Sequence, residues 1–594
     1  MNNYNYGVIG NCRSAALISD KGSLDWCCLP DFNSSSVFAK ILDKNKGGSF
    51  SIEVDDGYEI IQRYIDKTNI LSTYYEKDED AFEIIDFMPR FQTEERTFYN
   101  PPEIIRYIKY ISGSPRVKFI YDPKLCYAEF PTETIVDDEY IKSYTTKGTY
   151  ESVYLYTNLD FQSVVNKETI TLERDAYFLI SYNQKIEETK LNKLYLKLQR
   201  TKEYWIKWVA RTYRFRKYNS FIIRSALVLK LLSFEKTGAI LASVTSSLPE
   251  TIGGVRNWDY RYCWIRDSSM IIKALTLLGH NLSAKRFLDF IMDLIPVKDE
   301  KIQIMYGIRG EKKLTERILD HLEGYENSKP VRIGNSAYMQ RQKDIYGVLM
   351  DIIYQSFKLY EHSQEGSEDL WTLVRNIIKI VERNWTKPDK GIWEISSEQK
   401  HFTFSKVLCW VSIDRGMKIA KMLGKSKYEK AWRELRDTIR EDIIANAWNE
   451  EMQAFTRAYE SSDMDAANLL MEPYGFIDAD DPKYISTVEA TKKHLLHEGL
   501  MFRYRNPDDF GKPGSSFTIC TFWLIESLYK IGQEEEAEQM FNQVLDYSNH
   551  LGLFSENIDF ESKRLLGNFP QGSAHLGLIE AAVTLSRENR KRLI

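Results

Sequence analysis

The sequence predicts two structural parts, an antiparallel β-sandwich at the N-terminus followed by an α/α barrel. Three observations predict it. Near residue 190 the apolar pattern changes from alternation by two to recurrence at three and four. Before the change, short apolar segments stand between turn signals. After it, about a dozen helical stretches alternate with polar, aromatic, glycine-bearing loops, which suits a barrel better than a simple bundle. No sequence-level repeat marks the helical units.

In chain order, "SFSIEV" (Ser49 to Val54), "EIIDFM" (Glu83 to Met88), "RVKFIYDP" (Arg116 to Pro123) and "AYFLISYN" (Ala176 to Asn183) read as strands. Their β-branched and aromatic residues alternate with polar ones, as sandwich strands require. This part is assigned to residues 1–189. The charged helical stretch from Lys190 to Arg214 is read as a linker, 190–215. Residues 216–594 form the helical part. Helical spacing recurs at Phe221 to Leu232, Met270 to Gly279, Asp344 to Tyr360, Val407 to Leu423, Phe517 to Gly532 and Ala537 to Asn549.

Composition excludes several classes. A chain of 594 residues is long enough for two or three domains, and 43% hydrophobic with 28% charged residues is globular rather than disordered. With 80 basic and 85 acidic residues, a net charge of −5 offers nucleic acid no electrostatic footprint. No apolar run approaches the roughly 20 residues a membrane span needs. Met1 to Gly10 lacks the basic and apolar regions of a signal peptide. The seven cysteines are odd in number and scattered, which fits reduced thiols in the cytoplasm. Eight histidines without an HExxH give a zinc site little support. Aromatics reach 13%, serving large cores and offering flat faces to a sugar ring.

Three segments carry candidate chemistry. "GGVRNWDYRYCWIRDSSM" (Gly253 to Met270) gathers Trp258, Tyr260, Tyr262 and Trp264 with Arg256, Asp259, Arg266 and Asp267 ahead of an apolar helix. Asp267 before two serines also fits a helix cap. A cap does not require the flanking aromatics and arginines, whereas an Arg–Asp pair can donate to and accept from sugar hydroxyls. In "DKGIWEISSEQKHFTFSKVLCW" (Asp389 to Trp410), Glu394 follows Trp393. It is either a solvated surface carboxylate or an acid held against an indole, where desolvation raises its pKa. In "NHLGLFSENIDFESKRLLGNFPQGSAHLGLI" (Asn549 to Ile579), Glu556 lies in a loop and is a second carboxylate able to deprotonate water. Two such groups are what glycoside hydrolysis uses.

These segments resemble glycoside hydrolase family 15, which includes glucoamylases, glucodextranases and some microbial trehalases. The resemblance spans essentially the whole chain. The opening Gly7 to Gly48 is similar to the N-terminal β domain of the trehalase-like branch. "GGVRNWDYRYCWIRD", "IMYGIRGEKKLTERILDHLEGYENSKPVRIGN", "GIWE" with "HFTFSK", and "GLFSENID" with "GNFPQ" follow in the family's order. The resemblance implies a β-sandwich and an (α/α)6 barrel, with Glu394 as general acid and Glu556 as general base. It implies that Arg266 and Asp267 hold the non-reducing glucose, with Tyr260, Trp264 and Trp393 lining the site. Asn335, Gln340 and Asp344 belong to the matching "GN…Q…D" segment, and His401 and Lys406 flank the acid loop as candidates for a more distal contact. Two departures stand out. Asn557 follows Glu556 where the family often has a second Glu, and Gly572, Ser573, Ala574 and His575 replace an Ala-Phe-Ser/Thr-His run.

The expected substrate is an α-linked gluco-oligosaccharide or trehalose, with no metal or other cofactor. Glucoamylase-type release of β-glucose from non-reducing ends is placed first, as the broader class, and α,α-trehalase second. A disaccharide phosphorylase would use phosphate in place of a base-activated water, which the presence of Glu556 argues against. A carbohydrate sensor on a dead scaffold would lack a carboxylate that is here. Nothing in the sequence requires an oligomer or forbids a homo-oligomer.

Overall fold

The computed structural model describes residues 4–95, 97–187, 189–295, 302–360, 364–397 and 399–586. The N-terminal part is built from two antiparallel sheets. One runs Tyr6–Gly10, Ala15–Ser19, Leu24–Cys28, Ser49–Val54, Arg116–Asp122 and Thr169–Thr171 in spatial order, with Ser36–Phe38 paired on Leu24–Cys28. The other runs Thr132–Val136, Ile141–Thr145, Ser152–Thr157, Ala176–Tyr182, Glu103–Ser112, Asp80–Phe87, Leu71–Lys77 and Glu59–Tyr64. Alternate residues such as Phe50, Phe82, Ile104, Phe119 and Phe178 fill one core between them. All four segments expected as strands fall on these sheets.

A short helix α1 (Phe161–Val165) lies within this part, and α2 (Leu191–Val209) covers the charged stretch. Helix α2 is more than a spacer: Leu194, Leu198, Trp205, Trp208 and Val209 are buried along one stripe, with its lysines outside. Among the described residues eleven helices follow: α3 (Asn219–Leu231), α4 (Ile265–Leu277), α5 (Asn281–Leu294), α6 (Asp344–Leu359), α7 (Gln364–Asn384), α8 (Thr403–Met422), α9 (Ser426–Ala447), α10 (Pro482–Leu495), α11 (Thr518–Lys530), α12 (Glu534–Leu545) and α13 (Gly572–Leu585).

They form two concentric rings. Inside, α4 packs on α6, α6 on α8, α11 on α13, and α13 back on α4. The sixth inner place, between α8 and α11, is taken by the short 3-10 segment Ala466–Met471, which touches both. Outside lie α3, α5, α7, α9, α10 and α12. Burial follows position: α8 is buried continuously from Thr403 to Met417, whereas α9 buries only Trp432, Ile439, Ile443 and Ala447. Helices α6 and α8 cross closely enough that a Cβ on Gly347 would lie 2.4 Å from the Leu408 carbonyl oxygen. The chain therefore combines a β-sandwich with an α/α barrel.

The sandwich braces the barrel. Arg90 is fully buried and pairs with Glu235, which also takes Arg286 and lies 3.6 Å from Lys230. Trp26 Nε1 donates to the Val244 carbonyl at 2.9 Å, and Asn549 Nδ2 donates to the carbonyls of Tyr4 and Tyr6 at 2.9 Å each. Arg261, paired with Asp259 at 2.7 Å, donates to the Ser34 carbonyl at 2.8 Å. These anchors grip the segments that carry Tyr260 and Glu556. Among the described residues, no helix is long and apolar enough to cross a membrane.

Candidate active site

The candidate residues gather at the N-terminal ends of the inner helices. A cavity of about 1320 Å³ opens at the opposite end, among Lys273, Tyr354, Tyr474, Glu526 and Glu580, away from both candidate carboxylates. Chemistry, rather than size, decides which end matters.

Arg266 and Asp267 occupy the first turn of α4, with Trp264 at the cap position. Asp267 thus sits inside the helix, and the alternative reading of it as a cap does not hold. Arg266 is a hub. Its Nε donates to Asp267 Oδ1 at 3.0 Å, and its Nη1 reaches Ile392 O at 3.2 Å, Gln342 Oε1 at 3.3 Å and Asp344 Oδ2 at 3.4 Å. Asp344 opens α6 and is fully buried, and its Oδ1 has no hydrogen-bond partner among the described residues. Burial raises its carboxyl pKa, against the pull of Arg266. A buried acceptor without a donor, beside a guanidinium and a second carboxylate, is suited to a ligand hydroxyl.

Glu394 projects from the loop between α7 and α8 with φ 63°, a left-handed conformation uncommon for a glutamate. Its Oε1 accepts from Trp264 Nε1 at 2.9 Å and lies 3.8 Å from Arg266 Nη2. Gln340 Nε2 donates to the Glu394 carbonyl at 2.9 Å and to Ser396 Oγ at 3.1 Å, holding the loop. Burial raises the Glu394 pKa, opposed by Arg266 and by the Trp264 hydrogen bond. The indole that serves Glu394 is therefore Trp264. The adjacent Trp393 donates to Asp465 at 2.9 and 3.0 Å and packs 5.5 Å from Phe517.

Glu556 is buried, and its Oε1 accepts from the Tyr260 hydroxyl at 2.6 Å. Its Oε2 accepts the Asn568 backbone N–H at 3.3 Å. Gly567, at φ 73°, makes room: a Cβ there would lie 2.7 Å from Glu556 Oε2. Burial and the nearby Glu250 push the Glu556 carboxyl upward, while Tyr260, Arg503 and the Asn568 N–H favour its anion. The rings of Tyr260 and Trp264 meet edge to face, with centroids 5.3 Å apart at 70°. Each carboxylate thus hangs on one of two touching rings.

Three other candidates face elsewhere. Asn335 is committed to backbone, accepting from Ala337 N at 3.0 Å and donating to Asp259 O at 3.3 Å. His401 stacks on Tyr459 at 5.6 Å. Lys406 donates to the Trp385 carbonyl, and burial lowers its pKa to about 8. Among the described residues, neither His401 nor Lys406 hydrogen-bonds or ion-pairs with Arg266, Glu394 or Glu556.

Sequence reasoning missed Arg503 and Glu250. Arg503 Nη2 lies 3.1 Å from Glu250 Oε2, and Trp258 Nε1 donates to Glu250 Oε1 at 3.2 Å. The buried Arg503 Nε has no hydrogen-bond partner among the described residues. Their sequence signals were faint: Glu250 lies just ahead of the aromatic motif, and "RYR" has no distinctive spacing. The departures fall behind the site. Asn557 Nδ2 donates to Ser516 O at 2.7 Å, into the scaffold. His575 Nδ1 contacts Ser225 Oγ at 2.9 Å, and its Nε2 accepts the Phe554 N–H at 3.2 Å, steadying the base loop.

Comparison with known proteins identifies the family. A family model described as glycosyl hydrolases family 15 matches residues 216–583, and one described as trehalase-like, N-terminal matches residues 5–169. A protein named trehalase from Thermoplasma volcanium is 37% identical over 99% of this chain and 94% of its own length. Another trehalase, from Mycolicibacterium smegmatis, is 33% identical over 98% of this chain and 91% of its own. The structure of a bacterial glucoamylase complexed with acarbose superposes with a TM-score of 0.72, covering 98% of this chain and 95% of that one at 14% identity, a likeness of fold. The chain is a member of glycosyl hydrolases family 15.

Proposed function

We propose that this glycoside hydrolase is an inverting α,α-trehalase. The observation that carries the chemistry is the pair of carboxylates held on the touching rings of Tyr260 and Trp264. Trehalose is favoured as substrate because relatives matching nearly the full length, including the β domain, are named trehalases. That reverses the order reached from sequence, in which glucoamylase-type activity came first; the glucoamylase likeness is one of fold.

In this reading Arg266, Asp267 and the unpartnered Asp344 oxygen bind hydroxyls of one glucose. Glu394, whose pKa burial raises, donates its proton to the glycosidic oxygen. Glu556 takes a proton from a water attacking the opposite face of the anomeric carbon. One bond forms to the water oxygen, the glycosidic bond breaks, and two glucose molecules leave. Tyr260 and Trp264 orient the two carboxylates, and Gln340 and Trp393 support the loop of Glu394. Residues 1–189 serve as the bracing β domain, 190–215 as the connecting helix and 216–594 as the catalytic barrel. Seven free, buried cysteines favour a cytoplasmic location. Glu394→Gln and Glu556→Gln test the assignment: each should fold normally and lose trehalose turnover, and near-normal turnover in both would overturn it.

A further inference from the structure

A tight turn at Asp508–Gly511 touches both the loop of Glu394 and the segment that leads to Tyr260. Asp508 and Gly511 each donate a backbone N–H to the other's carbonyl, at 3.0 and 3.1 Å, and Gly511 sits at φ 90°. Arg256 grips the Asp508 carboxylate with two donors at 2.7 and 2.6 Å and donates to the Gly511 carbonyl at 2.8 Å. Asp509 reaches the other way. Its Oδ2 and Oδ1 accept the backbone N–H groups of Ser396 and Ser397 at 2.6 and 2.9 Å, just past Glu394. Phe510 lies edge-on to Trp258, with centroids 5.3 Å apart at 66°, and stays 43% exposed. Arg256 and Trp258 belong to the segment that continues into Tyr260, the donor to Glu556. One turn therefore ties the loop of the acid to the segment that orients the base.

An acid and a base on opposite faces of a bond leave its edges open, so a link from the acid's loop to the segment that orients the base crosses one of those edges. Of the hydroxyl-binding groups at the helix ends, Asp344 is buried and Arg266 is 11% exposed at its side chain, while Phe510 faces solvent. A glucose held by those buried groups would direct the leaving sugar toward the solvent side. We infer that Asp508–Gly511 is a strap that walls the leaving-group side of the pocket, admitting one sugar ring there and excluding longer α-glucan chains. Phe510 and Trp258 offer that ring apolar faces, and Pro507 and Pro513 stiffen the two ends of the strap. This inference rests on the trehalase reading and supplies its selectivity.

The test compares kcat/KM on trehalose and on maltotriose for the wild type, Asp509→Ala and Phe510→Ala, with melting curves confirming that each variant is folded. The strap predicts that the ratio of maltotriose to trehalose rises at least tenfold in both variants. An unchanged ratio in Phe510→Ala overturns it, and so does an equal fall on both substrates in Asp509→Ala, which would leave the turn as support for Glu394 alone. A wild type that cuts maltotriose as readily as trehalose also overturns the strap while leaving trehalase activity standing. A wild type inert on trehalose instead removes the trehalase reading itself.

Discussion

Removing the Tyr260 hydroxyl isolates the base. In Tyr260→Phe the 2.6 Å hydrogen bond to Glu556 Oε1 disappears and little else moves, because the ring still packs on Trp264. A hydrogen bond to a charged acceptor contributes about 1.5–3 kcal/mol. Divided by about 1.36 kcal/mol per pKa unit, that raises the Glu556 pKa by about 1–2 units, since the lost bond favoured the anion. Well below both carboxyl pKa values, the reactive fraction is set by how readily Glu556 gives up its proton, whichever group titrates first. There kcat/KM should fall about 10–100-fold further than on the alkaline side, where Glu556 is already ionised. The assay is kcat/KM for trehalose from acid to alkaline pH in wild type and variant. A loss of equal size across the whole profile would refute the reasoning, because it would mean that the hydroxyl does not act through the charge on Glu556.

Other outcomes follow from the same geometry. Replacing Glu394 or Glu556 by Gln should lower kcat about 10²–10⁴-fold, measured by glucose release, with melting temperature unchanged. Glu250→Gln removes a negative charge beside Glu556 and frees Arg503 to stabilise its anion, so activity on the acid side should rise relative to the alkaline side; an unmoved pH profile would contradict this. Trp264→Phe removes the N–H that favours ionised Glu394, so the acid should hold its proton to higher pH and alkaline-side activity should fall less than acid-side activity. Arg90→Met breaks a buried pair between sandwich and barrel. Glu235 keeps Lys230 and Arg286, so the cost should sit near the lower end of about 3–5 kcal/mol in urea unfolding, and a change under about 1 kcal/mol would count against the clasp.

What the sequence revealed depends on how strongly each element's environment shapes its pattern. Ser49–Val54 was legible because Phe50 meets the core while Glu53 is exposed, whereas Ala176–Tyr182 meets a core on both faces and was legible as a short apolar, aromatic run. The inner helices α4, α6, α8 and α11 were legible as dense apolar runs. The outer helices α5, α7, α9 and α10 were passed over because each buries only a stripe or is rich in charge. No pattern could show the 3-10 segment Ala466–Met471 standing in for an inner helix, since its place is set by contacts with α8 and α11. In the site, the motifs carried Arg266, Asp267, Glu394 and Glu556. The hydrogen bond from Trp264 to Glu394 was not legible, because it joins residues 130 positions apart, while the neighbouring Trp393 donates to Asp465. Glu250 and Arg503 escaped notice because their pairing joins segments far apart in the chain.

The most direct measurement follows the anomers of glucose by NMR during the first minutes of trehalose hydrolysis, before mutarotation scrambles them. Inversion at the attacked carbon yields β-glucose, while the leaving glucose keeps its α configuration. Equal amounts of α- and β-glucose at early times are the predicted result. Release of α-glucose alone would contradict the two-carboxylate inverting mechanism, and no release at all would contradict trehalose as the substrate.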